Sequence, residues 1–228
     1  MRKLNILLLM IFTIGLLNLN AQTIKSISIR SGTSITNQNH KLSGIDFTID
    51  TDNKIGIYEA FSIELFNHKY FSLVTDFFYI GKGSKTNFLS VTVDHLNNNN
   101  LIINEGESLV TKYNYLSFTP LLRTRFESEK VTPYFIIGPR IDFQTSYKTD
   151  SDYKIEGQNN VLYGFNYGLG AEINIANLGF VAELQHNIDF SYVYNNLGVK
   201  LRNKTFIAFL GIKLYLPQKS NNQTTIDQ

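Results

Sequence analysis

Residues 160–192 alternate between apolar and polar or small side chains with hardly a break, and this period of two constrains the fold more than anything else in the chain. Val161, Tyr163, Phe165, Tyr167, Leu169, Ala171, Ile173 and Ile175 form one series. Gly164, Asn166, Gly168, Gly170, Glu172 and Asn174 form the other, with Leu162 the single exception. The pattern restarts after Asn177, with Phe180, Ala182, Leu184, Ile188, Phe190 and Tyr192 against Gly179, Glu183, Gln185, Asn187, Asp189 and Ser191. Successive side chains of an extended strand point to opposite faces, so the pattern predicts two β-strands joined near Asn177. Both are longer than the strands of an average soluble sheet, and one face is uniformly apolar, as in strands that cross a membrane.

The same parity recurs towards both ends. Residues 202–216 set Phe206, Ala208, Leu210, Ile212, Leu214 and Leu216 against Thr205, Gly211 and Lys213. Residues 131–147 set Phe135, Ile137, Ile141 and Phe143 against Thr132, Gly138, Arg140, Asp142 and Gln144. Residues 113–127 set Leu116, Phe118, Leu122 and Phe126 against Ser117, Thr119, Arg123 and Arg125. Further strands are read over 70–83, 55–66 and 23–32, the last with Ile27 and Ile29 against Ser26, Ser28 and Arg30. The predicted fold is all-β: an antiparallel up-and-down transmembrane β-barrel of eight strands. Ten is the alternative count, because Leu42–Asp50 also alternates. Pro120 and Pro139 fall inside two strands, where each calls for a bulge or a gap in pairing, and by parity both face outward.

The connections carry a separate signal. Asn67–Lys69, Glu127–Lys130 and Asn177 are short links, whereas Ser31–Lys54, Ser84–Lys112, Lys148–Asn159 and Val193–Lys200 are long and polar. Long and short alternate, as in outer-membrane barrels with short periplasmic turns and long outside loops. By this reading His40 and His95 lie in outside loops and His68 in a turn. Residues 84–112 are the main exposed surface.

Arg2 and Lys3, the apolar run Leu4–Leu17 and the small residue Ala21 have the layout of a secretory signal peptide. The expected organisation is a signal peptide at 1–21, a barrel at 22–216 and a polar, disordered tail at 217–228. The chain has 21 Lys+Arg and 19 Asp+Glu; setting aside Arg2 and Lys3 leaves 19 against 19. No basic patch supports nucleic-acid binding. With no cysteine, disulfides, a lipidated cysteine and thiol chemistry are excluded. With no tryptophan, interfacial girdles fall to the 13 tyrosines and 17 phenylalanines, among them Phe71, Tyr79, Phe126, Tyr163, Phe190 and Tyr192.

Three segments carry a resemblance to a known family. These are Lys54–Lys85 (KIGIYEAFSIELFNHKYFSLVTDFFYIGKGSK), Tyr115–Arg125 (YLSFTPLLRTR) and Thr132–Phe143 (TPYFIIGPRIDF). They resemble the outer-membrane β-barrel proteins of Bacteroidetes, the PorT-like or porin-family small barrels. The resemblance implies the barrel type and the outer membrane, and no particular function.

On the polar parity stand Glu64, Asp76, Arg123, Arg125, Arg140, Asp142, Glu172, Glu183, Asp189 and Lys213. An eight-stranded barrel has room inside only for side chains, so these form a charge network that fills the lumen. The sharper reading makes the acids and Arg123, Arg125 and Arg140 a ligand or proton site. No histidine has metal-ligand spacing to another histidine or carboxylate, so no metal or cofactor is expected. His186 falls on the lipid-facing parity, with Ser191 and Asp189 on the other, which weakens a lipid-hydrolase reading. The functional expectation is a non-enzymatic monomer, with structural or loop-mediated binding or adhesion as its role. Its surroundings are outer-membrane lipid, the barrel-insertion machinery and an unidentified external partner. The rivals are a narrow channel for ions or small solutes, and an exported lipocalin-like barrel with an apolar ligand inside and its faces reversed.

Overall fold

The computed structural model describes residues 24–42, 48–66, 68, 70–94, 100–126, 128, 130–150, 158–196 and 199–217. The expected signal peptide, the tail beyond residue 217, His95 and the asparagines at 97–99 lie outside them. In chain order the strands are β1 (Ile24–Leu42), β2 (Thr48–Asp50), β3 (Lys54–Leu65), β4 (Phe71–Asp94) and β5 (Asn100–Arg125). They continue with β6 (Thr132–Thr149), β7 (Val161–Ile175), β8 (Leu178–Asp189), β9 (Tyr194–Asn196) and β10 (Val199–Tyr215).

Eight of these close on themselves. The order β1–β3–β4–β5–β6–β7–β8–β10 is antiparallel throughout, and β10 returns to β1 through seventeen register pairs from Ser26↔Tyr215 to Leu42↔Val199. Closure leaves no edge within the barrel wall, which is what a sheet needs in hydrocarbon. The three-residue strands β2 and β9 pair at the outer ends of β1 and β10, at Asn39–Lys41 and Leu201–Val199. The barrel thus has eight staves, the first of the two counts read from the sequence, and β2 and β9 are short rim strands outside the closed ring. The start of β1 and the end of β10 lie at one rim, together with the strand ends Leu65 and Phe71, Arg125 and Thr132, and Ile175 and Leu178; the tightest connection is the two residues after Ile175, with Ala176 at φ 53°.

Side chains divide by parity on every stave. Outward stand Ile29, Ile57, Phe77, Leu116, Leu169, Leu184, Phe206 and Leu210, all exposed; inward stand Ser34, Ser62, Asp76, Thr119, Arg123, Asn187 and Thr205, all buried. This is the reverse of a soluble fold. It also removes the lipocalin-like alternative, which requires an apolar interior. Leu162, the one break in the alternation, faces in and is fully buried. Phe66, Tyr70, Phe71 and Phe126 expose aromatic surface at the short-turn rim, and Tyr163 and Phe190 do so towards the other, as interfacial girdles require.

Two sequence expectations are corrected. Much of Ser31–Lys54 and Ser84–Lys112 is strand rather than loop: β1 continues to Leu42, β4 to Asp94, and β5 begins at Asn100. Ser34, Thr36 and Gln38 look like loop residues because they are polar, yet they are the lumen-facing half of a strand. His40 accordingly belongs to β1, paired with Ile49 and Leu201.

The prolines share one solution. Between Phe118↔Ile141 and Leu122↔Ile137 the register places Pro120 directly opposite Pro139, and no ladder pairs are made across that interval. A single gap thus accommodates both missing donors. Gly138 is required there, since a Cβ would meet the Pro120 carbonyl oxygen at 2.0 Å.

Candidate functional site

The interior is a stack of charged groups. Twelve ionisable side chains are buried among the described residues: Arg30, Lys82, Arg123, Arg125, Arg140 and Lys213 against Glu64, Asp76, Asp142, Glu172, Glu183 and Asp189. All ten residues singled out from the sequence are among them. Arg30 and Lys82 also lie on the inward parity, and parity alone could have added them to the ten.

Near the short-turn rim, residues of seven strands meet. Glu64 of β3 lies 3.2 Å from Arg123 Nη1 and 3.0 Å from Lys213 Nζ, and it also pairs with Arg125. Glu172 of β7 pairs with Lys213, accepts a hydrogen bond from Tyr215, and lies 3.6 Å from Arg123. Arg123 reaches Glu183 at 3.9 Å, and the Tyr134 hydroxyl donates to Glu183 at 2.5 Å. Half-buried Lys25 stands at the rim, 3.6 Å from Glu64.

Above this cluster Arg30 Nη1 meets Asp76 Oδ2 at 2.8 Å. Aromatic rings pack around that pair. Tyr58 stacks on Phe209 at 5.0 Å and tilts against Phe78 at 5.2 Å, and the Arg30 guanidinium sits 5.3 Å over Phe209. The Arg123 guanidinium lies 4.3 Å over the Tyr134 ring, a close cation–π contact. Gly170 makes room for Tyr134, because a Cβ there would fall 2.3 Å from the ring.

Towards the outer rim Lys82 Nζ lies 2.7 Å from Asp142 and 3.4 Å from Asp189. Arg140 Nε is 2.9 Å from Asp142, its Nη1 donates to Asn166 at 2.7 Å, and its Nη2 pairs with Asp189. Asn203 donates to Asp189 at 3.1 Å, Gln38 to Asn203 at 3.0 Å, and Ser84 to Gln38 at 2.8 Å. Cation and anion balance at each level. Taking ions out of water is costly, and close pairing with added hydrogen bonds is what offsets it.

Among the described side chains, His68 and His186 take no part in this network. His186 faces outward, 2.9 Å from the Tyr167 hydroxyl and stacked at 4.2 Å on Phe206. Asp189 is committed to the interior, and Ser191 hydrogen-bonds the Tyr163 backbone. The three residues of the hydrolase reading are therefore not brought together. His68, in a turn, stacks on Phe71 at 3.9 Å. Among the described residues no three metal-ligating side chains form a metal-binding group.

A closed antiparallel barrel with an apolar exterior and a polar, charge-paired interior is a transmembrane β-barrel of the outer-membrane type. The sequence agrees: the chain belongs to the outer membrane protein beta-barrel domain family, whose profile matches residues 18–199. The outer membrane is its location. Among solved structures it is similar to the attachment invasion locus protein Ail of Yersinia pestis, solved in complex with the heparin analogue sucrose octasulfate. There the identity is 17%, coverage is 83% of this chain and 99% of that chain, and the TM-score is 0.42. It is similar also to Neisserial surface protein A, at 11% identity, 83% and 97% coverage and TM-score 0.46. A third likeness is to the outer membrane protease OmpT from Escherichia coli, at 11% identity, 87% and 99% coverage and TM-score 0.47. A comparison with curated proteins finds no match.

Proposed function

We propose that this barrel is a sealed, non-enzymatic anchor that holds the β4–β5 hairpin outside the cell for binding or adhesion. The observation that carries the reading is how far this hairpin outruns its neighbours. The last β3–β4 ladder pair is Tyr58↔Ile80, followed by an isolated bridge at Asp52↔Lys85, and the last β5–β6 pair is Thr111↔Thr149. Beyond them β4 and β5 continue from Thr86↔Leu109 to Asp94↔Asn100, and among the described residues they pair there only with each other. At about 3.3 Å per residue this projects on the order of 25 Å past the barrel wall.

Among the described residues neither long edge of that projection has a neighbouring strand to pair its backbone donors and acceptors. Such edges recruit extended peptides by strand addition. The charge-filled interior supports a role at the rim rather than transport through the barrel. The narrower kinship with the PorT-like barrels of Bacteroidetes rests on the three quoted segments and belongs to this proposal.

The test replaces residues 87–108 with a short turn and assays attachment of cells bearing the protein to extracellular-matrix proteins. Loss of attachment with unchanged insertion supports the reading. Attachment equal to that of the intact protein contradicts it.

A further inference from the structure

The lipid-facing side carries a carboxylate at mid-depth. Glu59 lies on β3 between the outward Ile57 and Phe61, with Tyr79 beside it on β4 and Ser31 beside it on β1. Among the described residues it is the one charged side chain in the middle of the apolar band. Its depth follows from the register: Ser31 pairs with Leu210, which lies midway along β10 between the outward Lys204 and Leu216. Ser31 Oγ donates to Glu59 Oε1 at 2.9 Å. Among the described residues, Oε2 has no such partner, and neither does the exposed Thr33 hydroxyl two residues further along β1. Polar groups at the level of acyl chains find no donors or acceptors in lipid, so an ionisable residue there marks a site.

The surface around this pair is also shaped. A hollow of about 610 Å³ is floored by Gly32, Ala171, Ala182 and Ala208, and a second of about 650 Å³ opens beside Ser31 and Glu59. Leu210 stands between them, 70% exposed, with Leu184 at 66% and Leu169 at 65% on the neighbouring strands. Hollow and ridge thus occur on one face, together with an open acceptor and an open donor. A two-fold contact needs this self-complementarity, because each copy must offer both halves of every interaction. Small residues permit close approach in a membrane, and hydroxyl and carboxyl groups hydrogen-bond across the contact.

We infer that the face centred on Ser31, Glu59 and Leu210 is where a second copy of this chain docks in the plane of the membrane, with Thr33 of each copy donating to Glu59 of the other. A lipid occupant would leave the carboxyl oxygen unpaired. A copy of the same barrel brings a donor, Thr33, two residues along β1 from the Ser31–Glu59 level. The inference replaces the expected monomer by a dimer and is independent of the hairpin's role.

The absence of cysteine from the chain makes the test clean. Ile57→Cys, Leu210→Cys and, on the far side of the barrel, Leu122→Cys are introduced singly into the full-length protein and oxidised in outer membranes; Ile57 is the exposed register partner of Thr33, so the donor itself is kept. Folding of each variant is checked by its heat-shifted gel mobility. Disulfide-linked dimers are expected from the first two and not from Leu122→Cys. Adding Glu59→Leu, with folding checked in the same way, should weaken dimerisation about tenfold, the scale of the two symmetry-related hydrogen bonds that it removes. Monomers at every position, equal linkage at Leu122→Cys, linkage only to a different protein, or linkage insensitive to Glu59→Leu would each overturn the inference.

Discussion

Arg30 Nη1 and Asp76 Oδ2 meet at 2.8 Å in the middle of the barrel, each side chain 1% exposed, between a larger charged cluster below and another above. A pair this dry is held less by attraction alone than by the cost of separating its members. Removing one partner strands a buried charge, at about 3–5 kcal/mol. Asp76→Ala should therefore lower stability by that amount in urea titrations of the lipid-reconstituted protein. The double substitution Arg30→Met with Asp76→Leu should recover most of the loss. A double variant as unstable as the single one would mean that the pair contributes specific net stabilisation.

Gly170 lies under Tyr134, and the close approach leaves no room for a methyl group. Gly170→Ala should displace the ring, loosen its hydrogen bond to Glu183, and cost about 1–3 kcal/mol, as overpacking does. Gly179→Ala is the control. There the nearest atoms to an added Cβ are side-chain atoms 3.1–3.3 Å away, so the effect should be smaller. The same urea titration measures both.

The paired interior predicts a closed lumen. Purified protein in planar bilayers should show no discrete conductance steps above the lipid background. Regular single-channel openings would restore the channel reading, and they would require the ion pairs that join Lys82, Arg140, Asp142 and Asp189 to separate.

Most of this architecture is legible from parity. The alternation at 160–192 places Tyr163, Leu169, Leu184 and Phe190 outside, and Gly164, Glu172, Glu183 and Asp189 inside, where the structure has them. Parity fails where composition hides it. Ser34, Thr36 and Gln38 continue β1, but flanking polar residues such as Asn37 and Asn39 on the other face erase the contrast between faces. Above the apolar band the outward side is wet, and period two ceases to be a hydropathy signal. The interior rings of Tyr58, Phe78, Tyr134 and Phe209 are hidden for the converse reason: an apolar residue on the polar parity reads as noise. They fill the barrel between charged levels. Glu59 was legible, since it shares its parity with Ile57 and Phe61. Its significance depends on knowing that Ser31, 28 positions away, stands beside it. The shared gap at Pro120 and Pro139 likewise depends on register, which neither strand reveals alone.

The measurement that bears most directly on the account is cysteine accessibility in intact cells, because the account requires the projecting hairpin outside and the short turns inside. Ser90→Cys in β4 and Ser108→Cys at the hairpin's base are compared with Ser128→Cys in the β5–β6 turn, using a membrane-impermeant maleimide on a chain with no other thiol. Labelling of the first two is expected in intact cells, and of Ser128→Cys only after the outer membrane is broken. Labelling of Ser128→Cys in intact cells, or protection of both hairpin positions, would contradict it.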